Sequence, residues 1–167
     1  MTTRIAILAD GQLTYHDAKT AFGVIRYGPD PVVAVIDSVN AGRNASEWLG
    51  AAHDVPIVAT VEEALALGPT ALVIGIAPTG GLLPPEWRAW LLTAIAAGLD
   101  VRSGLHQFLG DDPELAAAAA AAGVTITDYR RPPDRRDCAI GRDHAPGKRV
   151  LLAVGTDCAV GKMSVSL

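Results

Sequence analysis

The stretch Ala71–Ala77, which reads ALVIGIA, is the most apolar run of the chain and carries no polar side chain. Apolar residues without polar alternation are typical of a strand that is buried on both faces of a sheet. Pro78, Gly80 and Gly81 follow directly and predict that this strand ends in a turn. We therefore expect Ala71–Ala77 to be a central strand of a parallel sheet.

Shorter apolar runs lie on both sides of this stretch, and segments with helix signals separate them. The predicted strands, in chain order, are Arg4–Ala9, Val32–Ile36, Ile57–Ala59, Ala71–Ala77, Asp100–Arg102, Val124–Thr127 and Val150–Val154. Strands that alternate with helices of this length imply a parallel sheet built from crossover units. We predict an α/β fold, with a doubly wound, mostly parallel, Rossmann-like domain over residues 1–128.

Capping residues mark the predicted helices. Thr60 and Glu63 form a capping box, and Asp112 precedes Pro113 at the start of an alanine-rich helix that ends at Gly123. Two further helices are predicted over Ala18–Tyr27 and over the segment from Pro84 to Gly98.

Composition and charge exclude several classes of function. The chain has 14 Lys and Arg against 18 Asp and Glu, a net charge of −4, which excludes a dominant basic surface for nucleic acid or membrane. Cys138 and Cys158 fit neither a disulfide framework nor a zinc motif, and no signal-peptide pattern opens the chain. We therefore expect a cytoplasmic protein without a metal site.

Ligands of doubly wound sheets bind beyond the carboxyl ends of the strands. That edge, here called the ligand edge, collects the segments Asp10-Gly11, Asp37-Ser38, Pro78–Gly81, Ser103–His106 and Asp128–Arg130. Asp37 ends the second strand, where dinucleotide enzymes place the acid that binds ribose. No G-x-G-x-x-G motif follows the first strand, so we do not expect NAD binding and interpret Asp37 as a turn-capping residue.

Residues 129–149 are rich in Arg, Asp and Pro and are predicted to be an exposed linker. The strand Val150–Val154 and a glycine loop follow. Such a loop lets backbone N–H groups converge on phosphate, and a lysine neutralises the charge. Residues 150–167 are therefore predicted to begin a truncated P-loop domain, with phosphate-binding residues Gly155, Thr156, Asp157, Gly161, Lys162 and Ser164.

Two features separate this loop from a standard P-loop. Five residues rather than four lie between Gly155 and Gly161, which resembles the loop of dethiobiotin synthetase and its relatives. Met163 stands where a hydroxyl would hold magnesium, which argues against ATP and magnesium as ligands. An ATP-dependent enzyme resembling dethiobiotin synthetase and a non-catalytic ligand-binding module nevertheless stay open as alternatives.

Six segments occur together and in order: Asp17–Tyr27, Val33–Ser38, Pro56–Ala59, Gly75–Pro78, Ser103–His106 and Gly155–Met163. Together they resemble the D-glutamate N-acetyltransferase family, long known only as a domain of unknown function. The resemblance covers essentially the whole chain and implies a Rossmann-like domain joined to a C-terminal P-loop domain. It also implies acetyl transfer from acetyl-CoA to the amine of D-glutamate or a similar D-amino acid, with the P-loop holding the phosphates of CoA.

Members of that family continue well past the P-loop. We therefore expect this chain to be the N-terminal part of a longer enzyme, inactive without the missing C-terminal P-loop domain. We also expect a homo-oligomer that acts on a small molecule.

A substrate with two carboxylates requires cations, and arginine is the better bidentate partner. The predicted topology places three cations near the ligand edge, so the expected substrate-binding set is Asp10, Lys19, Arg26, Asp37 and Arg43.

His106 is the candidate catalytic base for the substrate ammonium, because histidine titrates near neutral pH. Backbone N–H groups of Gly80, Gly81 or Gly104 are candidates to stabilise the oxyanion formed when the amine attacks a thioester.

Overall fold

Six strands pair in parallel and form one sheet. They are β1 (Ile5–Leu8), β2 (Val32–Ile36), β3 (Ile57–Val58), β4 (Ala71–Ile74), β5 (Asp100–Ser103) and β6 (Ile126–Asp128). Their order across the sheet is β3-β2-β1-β4-β5-β6. This is the order of the doubly wound dinucleotide-binding fold, in which the strand order reverses between β1 and β4. The prediction of a doubly wound, parallel, Rossmann-like sheet is confirmed.

This computed structural model describes residues 2–15, 17–76, 78–133, 145–149 and 151–155. The chain divides into two units, residues 1–132 and 133–167. The sheet belongs to the first unit.

Five α-helices connect the strands. They are α1 (Lys19–Tyr27), α2 (Ser46–Leu49), α3 (Val61–Leu65), α4 (Trp87–Ala96) and α5 (Pro113–Ala122), with 3-10 turns at Thr79–Gly81 and Leu109–Asp111. The sequence predicts four of these helices. The single turn of α2 and the two 3-10 turns are too short to show a hydrophobic period.

Side-chain caps fix the starts of two helices, as predicted. The Thr60 hydroxyl accepts the N–H of Glu63 at 3.2 Å, and the Glu63 carboxylate reaches back to the N–H of Ala59 at 2.8 Å. The Asp112 carboxylate accepts the N–H groups of Glu114 and Leu115 at 3.1 and 3.2 Å. These bonds satisfy donors that the first turn of a helix leaves without partners.

A close approach between helix α1 and the sheet depends on Gly75, the residue after β4. The N–H of Ala21 donates to the carbonyl of Gly75 at 2.8 Å. A Cβ on Gly75 would lie 2.2 Å from Cγ2 of Ile7 and 2.9 Å from Cβ of Ala21. The absent side chain therefore lets the first turns of α1 pack directly on β1 and β4 beside the ligand edge.

The outer edge of β3 is covered by the chain that follows β2. The N–H of Gly42 donates to the carbonyl of Ile57 at 2.9 Å, and the N–H of Ile57 donates to the carbonyl of Arg43 at 3.0 Å. Asn44 and Pro56 continue this contact as an antiparallel bridge.

The second unit is described over residues 145–149 and 151–155 only. Leu151–Gly155 form no strand, and the side chains of Leu151, Leu152 and Val154 are 97%, 80% and 77% exposed. The strand predicted at Val150–Val154 is therefore not formed within the described part of the chain. A parallel strand needs neighbours that supply hydrogen bonds and cover both faces.

The uncharged stretch from Ala64 to Pro85 contains β4 and a 3-10 turn. Among the described residues, no helix is long and apolar enough to cross a membrane.

Candidate site at the ligand edge

Two carboxylates at the ligand edge hold each other's loops, and we call Asp10 and Asp37 the crossed carboxylates. Asp10 follows β1, and its Oδ1 accepts both the N–H and the hydroxyl of Ser38, at 2.7 and 2.6 Å. Asp37 follows β2, and its Oδ1 accepts the N–H of Gly11 at 2.8 Å. The loops after β1 and β2 are therefore fixed to one another.

Asp37 is fully buried and has further donors of its own. Its Oδ1 also accepts the N–H of Val39 at 3.3 Å, and its Oδ2 accepts the side-chain amide of Asn40 at 2.6 Å. A ribose hydroxyl would have to displace one of these donors. Asp37 therefore caps the turn after β2 and is not presented to a ligand, whereas Asp10 is only half-buried.

His106 lies in the loop after β5, with its side chain exposed at the ligand edge. Its backbone N–H and that of Gln107 both donate to the carbonyl of Gly81, at 2.9 and 3.2 Å. The Gln107 side chain in turn accepts the N–H of Leu83 at 3.0 Å. These bonds bring the loops after β4 and β5 together and place the imidazole beside the 3-10 turn.

The three glycines considered for oxyanion stabilisation differ in their bonding. The N–H of Gly81 donates to the carbonyl of Pro78 at 2.8 Å, so it is already engaged inside the turn. The carbonyl of Gly104 accepts Nε of Arg130 at 2.6 Å, a bond that does not involve the N–H of Gly104. Gly80 and Gly104 therefore remain as candidates, and Gly81 does not.

The predicted cations separate into different places. Lys19 is exposed in the first turn of α1, at the ligand edge. Arg26 lies in the last turn of the same helix. A crossover helix runs antiparallel to its strands, and the separation of seven positions between the two cations corresponds to about 10 Å along the helix. The structure thus puts Arg26 toward the opposite edge of the sheet, and its expected place at the ligand edge is wrong.

Arg43 is held within its own segment. Its Nε and Nη2 donate to Oε2 of Glu47 at 2.9 and 2.6 Å, and its Nη1 donates to the side chain of Asn40 at 2.9 Å. The guanidinium also lies 4.3 Å from the ring centroid of Trp48. The hydrogen bond from Arg43, with a smaller effect from the backbone N–H of Asn44, lowers the pKa of Glu47. Arg43 would have to leave Glu47 before it could bind a substrate carboxylate.

Sequence analysis placed Arg130 at the ligand edge but left it out of the expected substrate-binding set, and it did not single out Arg131. Arg130 is exposed, and it donates to the carbonyl of Gly104. Gly104 lies two residues before His106 in the loop after β5. Arg131 donates to Asp111 at 2.7 Å and lies 4.5 Å from the ring centroid of Phe108. Both residues fall inside the segment 129–149 that was predicted to be an exposed linker, so neither was proposed as a ligand-binding cation.

The predicted phosphate-binding residues fall almost entirely outside the described part of the chain. Gly155 is described and exposed. Thr156, Asp157, Gly161, Lys162 and Ser164 lie outside the described residues, as does Met163. Over the ranges that the structure covers, no group of three or more His, Cys, Asp or Glu side chains could hold a metal ion.

The strand order and the loops gathered at one edge define a Rossmann-like α/β domain. Residues 38–132, more than half of the chain, match the family model described as "Domain of unknown function (DUF1611_N) Rossmann-like domain". The chain belongs to this DUF1611 family.

Two named relatives and one solved structure are similar to the chain. A D-glutamate N-acetyltransferase of Tritonibacter scottomollicae is 43% identical over 150 residues, which is 90% of this chain and 42% of that protein. A D-glutamate N-acetyltransferase of Pseudoalteromonas sp is 37% identical over 105 residues, which is 63% of this chain and 31% of that protein. The crystal structure of a DUF1611 family protein from Anabaena variabilis ATCC 29413 superposes with a TM-score of 0.77 at 41% identity, covering 84% of this chain and 40% of that one.

These matches confirm the family assignment that was made from the sequence. The chain spans less than half the length of each of these three proteins.

Proposed function

We propose that this chain is the substrate-side part of an N-acetyltransferase that moves the acetyl group of acetyl-CoA to the amine of D-glutamate or a similar D-amino acid. The observation that carries the proposal is the 43% identity, over 90% of the chain, to a protein named D-glutamate N-acetyltransferase. Because the chain spans 42% of that protein, the activity is proposed for a protein of the relatives' length, and the chain alone is expected to be inactive.

His106 would act as the general base. An amino acid carries a protonated amine near neutral pH, and this amine becomes a nucleophile only after it loses a proton. In the proposed reaction the imidazole takes that proton, the amine nitrogen bonds to the acetyl carbon, and the C–S bond breaks. The nitrogen loses its second proton as the amide forms, and the departing thiolate takes up that proton, so that CoA leaves as a thiol. An exposed imidazole at the ligand edge is compatible with this role.

Two cations would bind the carboxylates of the substrate. Lys19 opens α1 on one side of the switch between β1 and β4, and Arg130 follows β6 on the other side. Both are exposed at the ligand edge, whereas Arg26 is not at that edge. Lys19 and Arg130 are therefore the proposed cations for the substrate carboxylates, in place of the set Lys19, Arg26 and Arg43 that was expected from the sequence.

Asp10 and Asp37 are proposed to shape the floor of the substrate site rather than to touch the substrate, because they hold the loops after β1 and β2. Arg43 joins the site only if it leaves Glu47.

The phosphates of CoA are proposed to bind the P-loop segment, at Gly155, Thr156, Asp157, Gly161, Lys162 and Ser164. A homo-oligomeric assembly and a cytoplasmic location stay predictions from the sequence.

The proposal is tested by acetyl-CoA-dependent thiol release, with D-glutamate as substrate and L-glutamate as control, on the protein in the length of its relatives. We expect release with the D-isomer only. His106→Gln should lower kcat/KM by about 100-fold or more, the usual contribution of a general base.

His53→Gln is the matched control for the histidine. His53 lies shortly before β3 begins, toward the opposite edge of the sheet, so its loss should leave kcat/KM unchanged. No thiol release from folded protein would contradict the proposed reaction and favour a ligand-binding module. Equal losses in the two histidine variants would contradict the role of His106.

A further inference from the structure

The imidazole of His106 occupies the space that a side chain on Gly81 would fill. A Cβ built on Gly81 would lie 2.2 Å from Cδ2, 2.8 Å from Cγ and 2.9 Å from Cβ of His106. Non-bonded carbon atoms do not approach this closely, because their optimal separation is about 3.5–4.0 Å. The ring therefore lies directly against the Cα of Gly81.

Hydrogen bonds prevent the two loops from moving apart. The carbonyl of Gly81 accepts the N–H groups of His106 and Gln107, and the N–H of Gly81 donates to the carbonyl of Pro78. The side chain of Gln107 accepts the N–H of Leu83. Gly81 is thus held through both of its backbone polar groups, and the loop of His106 is bonded to Gly81 and to Leu83.

We propose that Gly81 is a positioning residue for His106, because its bare Cα sets the rotamer of the imidazole and the direction in which the ring nitrogens face. Whether the orientation of the ring matters for catalysis rests on the proposed function of His106 as the general base. The contact itself does not, and it can be measured without substrate.

Gly80 supplies a matched control. Gly80 and Gly81 have φ angles of +80° and +67°, so alanine brings backbone strain at either position. The nearest atom to a Cβ on Gly80 is Cγ of Leu82, at 4.0 Å, which is ordinary contact. Gly80→Ala therefore reproduces the strain of Gly81→Ala without its collision with His106.

The test is NMR titration of the imidazole in the wild type, Gly81→Ala and Gly80→Ala, with the His106 signal identified by its loss in His106→Ala. We expect Gly81→Ala to change the chemical shifts and the pH midpoint of His106, and Gly80→Ala to leave both close to the wild-type values. Equal changes in the two alanine variants, or none in either, would overturn the proposal.

A double-mutant cycle keeps the proposal falsifiable if Gly81→Ala folds poorly. Removing the imidazole relieves the two closest contacts, with Cδ2 and Cγ, and leaves only the contact with Cβ, so Gly81→Ala should lower Tm less in a His106→Ala background than in the wild type. An equal loss of Tm in both backgrounds would overturn the proposal. The NMR and Tm results can agree with the proposal while His106→Gln leaves thiol release unchanged. In that case Gly81 positions the imidazole, but the proposed catalytic role of His106 is wrong.

Discussion

Asp10 and Asp37 each cap the loop that follows the other's strand. Asp10 accepts the N–H of Ser38 at 2.7 Å, and Asp37 accepts the N–H of Gly11 at 2.8 Å. The two bonds cross between β1 and β2, next to the point where the strand order of the sheet reverses. In a doubly wound sheet this is the place where ligands bind, so the floor of the candidate site is rigid before any ligand arrives.

Replacing Asp37 should destabilise the domain. Asp37→Ala leaves the N–H groups of Gly11 and Val39 without their acceptor, and each unpaired buried donor costs about 1–3 kcal/mol. Because Gly11 and Val39 are both exposed and water can reach their N–H groups, we expect a loss at the lower end of this range, about 1–2 kcal/mol in the free energy of unfolding, measured by urea denaturation. Asp10→Ala serves as the control and should cost less, since Asp10 is only half-buried. A larger loss for Asp10→Ala would contradict this account.

The same buried carboxylate predicts weak binding of dinucleotides. The carboxylate of Asp37 is fully buried and both of its oxygens already accept protein donors, so a ribose diol cannot reach it unless the turn after β2 opens. We expect isothermal titration calorimetry to give a Kd for NAD above about 1 mM. Micromolar binding of NAD would show that the crossed carboxylates open on ligation.

Gly75 and Gly23 should respond to alanine in opposite directions. A Cβ on Gly75 would collide with Ile7 and Ala21, and overpacking of a core costs about 1–3 kcal/mol. A Cβ on Gly23, inside α1, meets nothing within 4 Å, and alanine in a helix is favoured by about 0.5–1 kcal/mol. Tm should therefore fall in Gly75→Ala and rise in Gly23→Ala, and changes of the same sign would refute the packing argument.

Asp112 should make stability depend on pH in the acid range. A hydrogen bond from Arg88, and then the N–H of Leu115, lowers the pKa of Asp112 from 3.8 to about 2. A carboxylate whose pKa is lower in the folded state stabilises the fold fully above its unfolded pKa, and this contribution is lost as pH falls through the folded pKa. The stabilisation should therefore be complete above about pH 4 and decline toward pH 2.

The measurement compares the free energy of unfolding of the wild type with that of Asp112→Asn between pH 6 and pH 2. Asparagine keeps an oxygen that can cap α5 and removes the charge together with the second acceptor for Arg88, so the difference should shrink as pH falls. Glu114→Gln is the control, because Glu114 binds the same arginine but its side chain is 59% exposed. A difference that does not change with pH would contradict a charge-based contribution.

The elements that could be predicted from the sequence are those whose signals are local. The predicted strands overlap all six observed strands, and Thr60 and Asp112 located two helix starts, because strand burial and helix capping depend on neighbouring residues. The parallel topology followed from the alternation of elements. The bond from Ser38 to Asp10 could not be predicted, since it joins residues 28 apart that meet only once β1 and β2 pair.

The placement of cations shows a second limit. Arg26 and Lys19 belong to one helix, and the sequence pattern alone, without the length of that helix, assigned both to the ligand edge. Only the direction of α1 separates them. Arg130 was assigned to the ligand edge, but the linker-like composition of residues 129–149 kept it out of the expected substrate-binding set.

The two outermost strands of the sheet have a consequence for the chain in concentrated solution. Exposed strand edges pair with other molecules and start aggregates. Here β3 is two residues long, and its outward N–H and C=O groups are already bound to Gly42 and Arg43. At the other side β6 offers three residues only. Neither edge strand is long enough to serve as a template for an incoming chain. The backbone of the domain therefore protects it against edge-to-edge association of sheets.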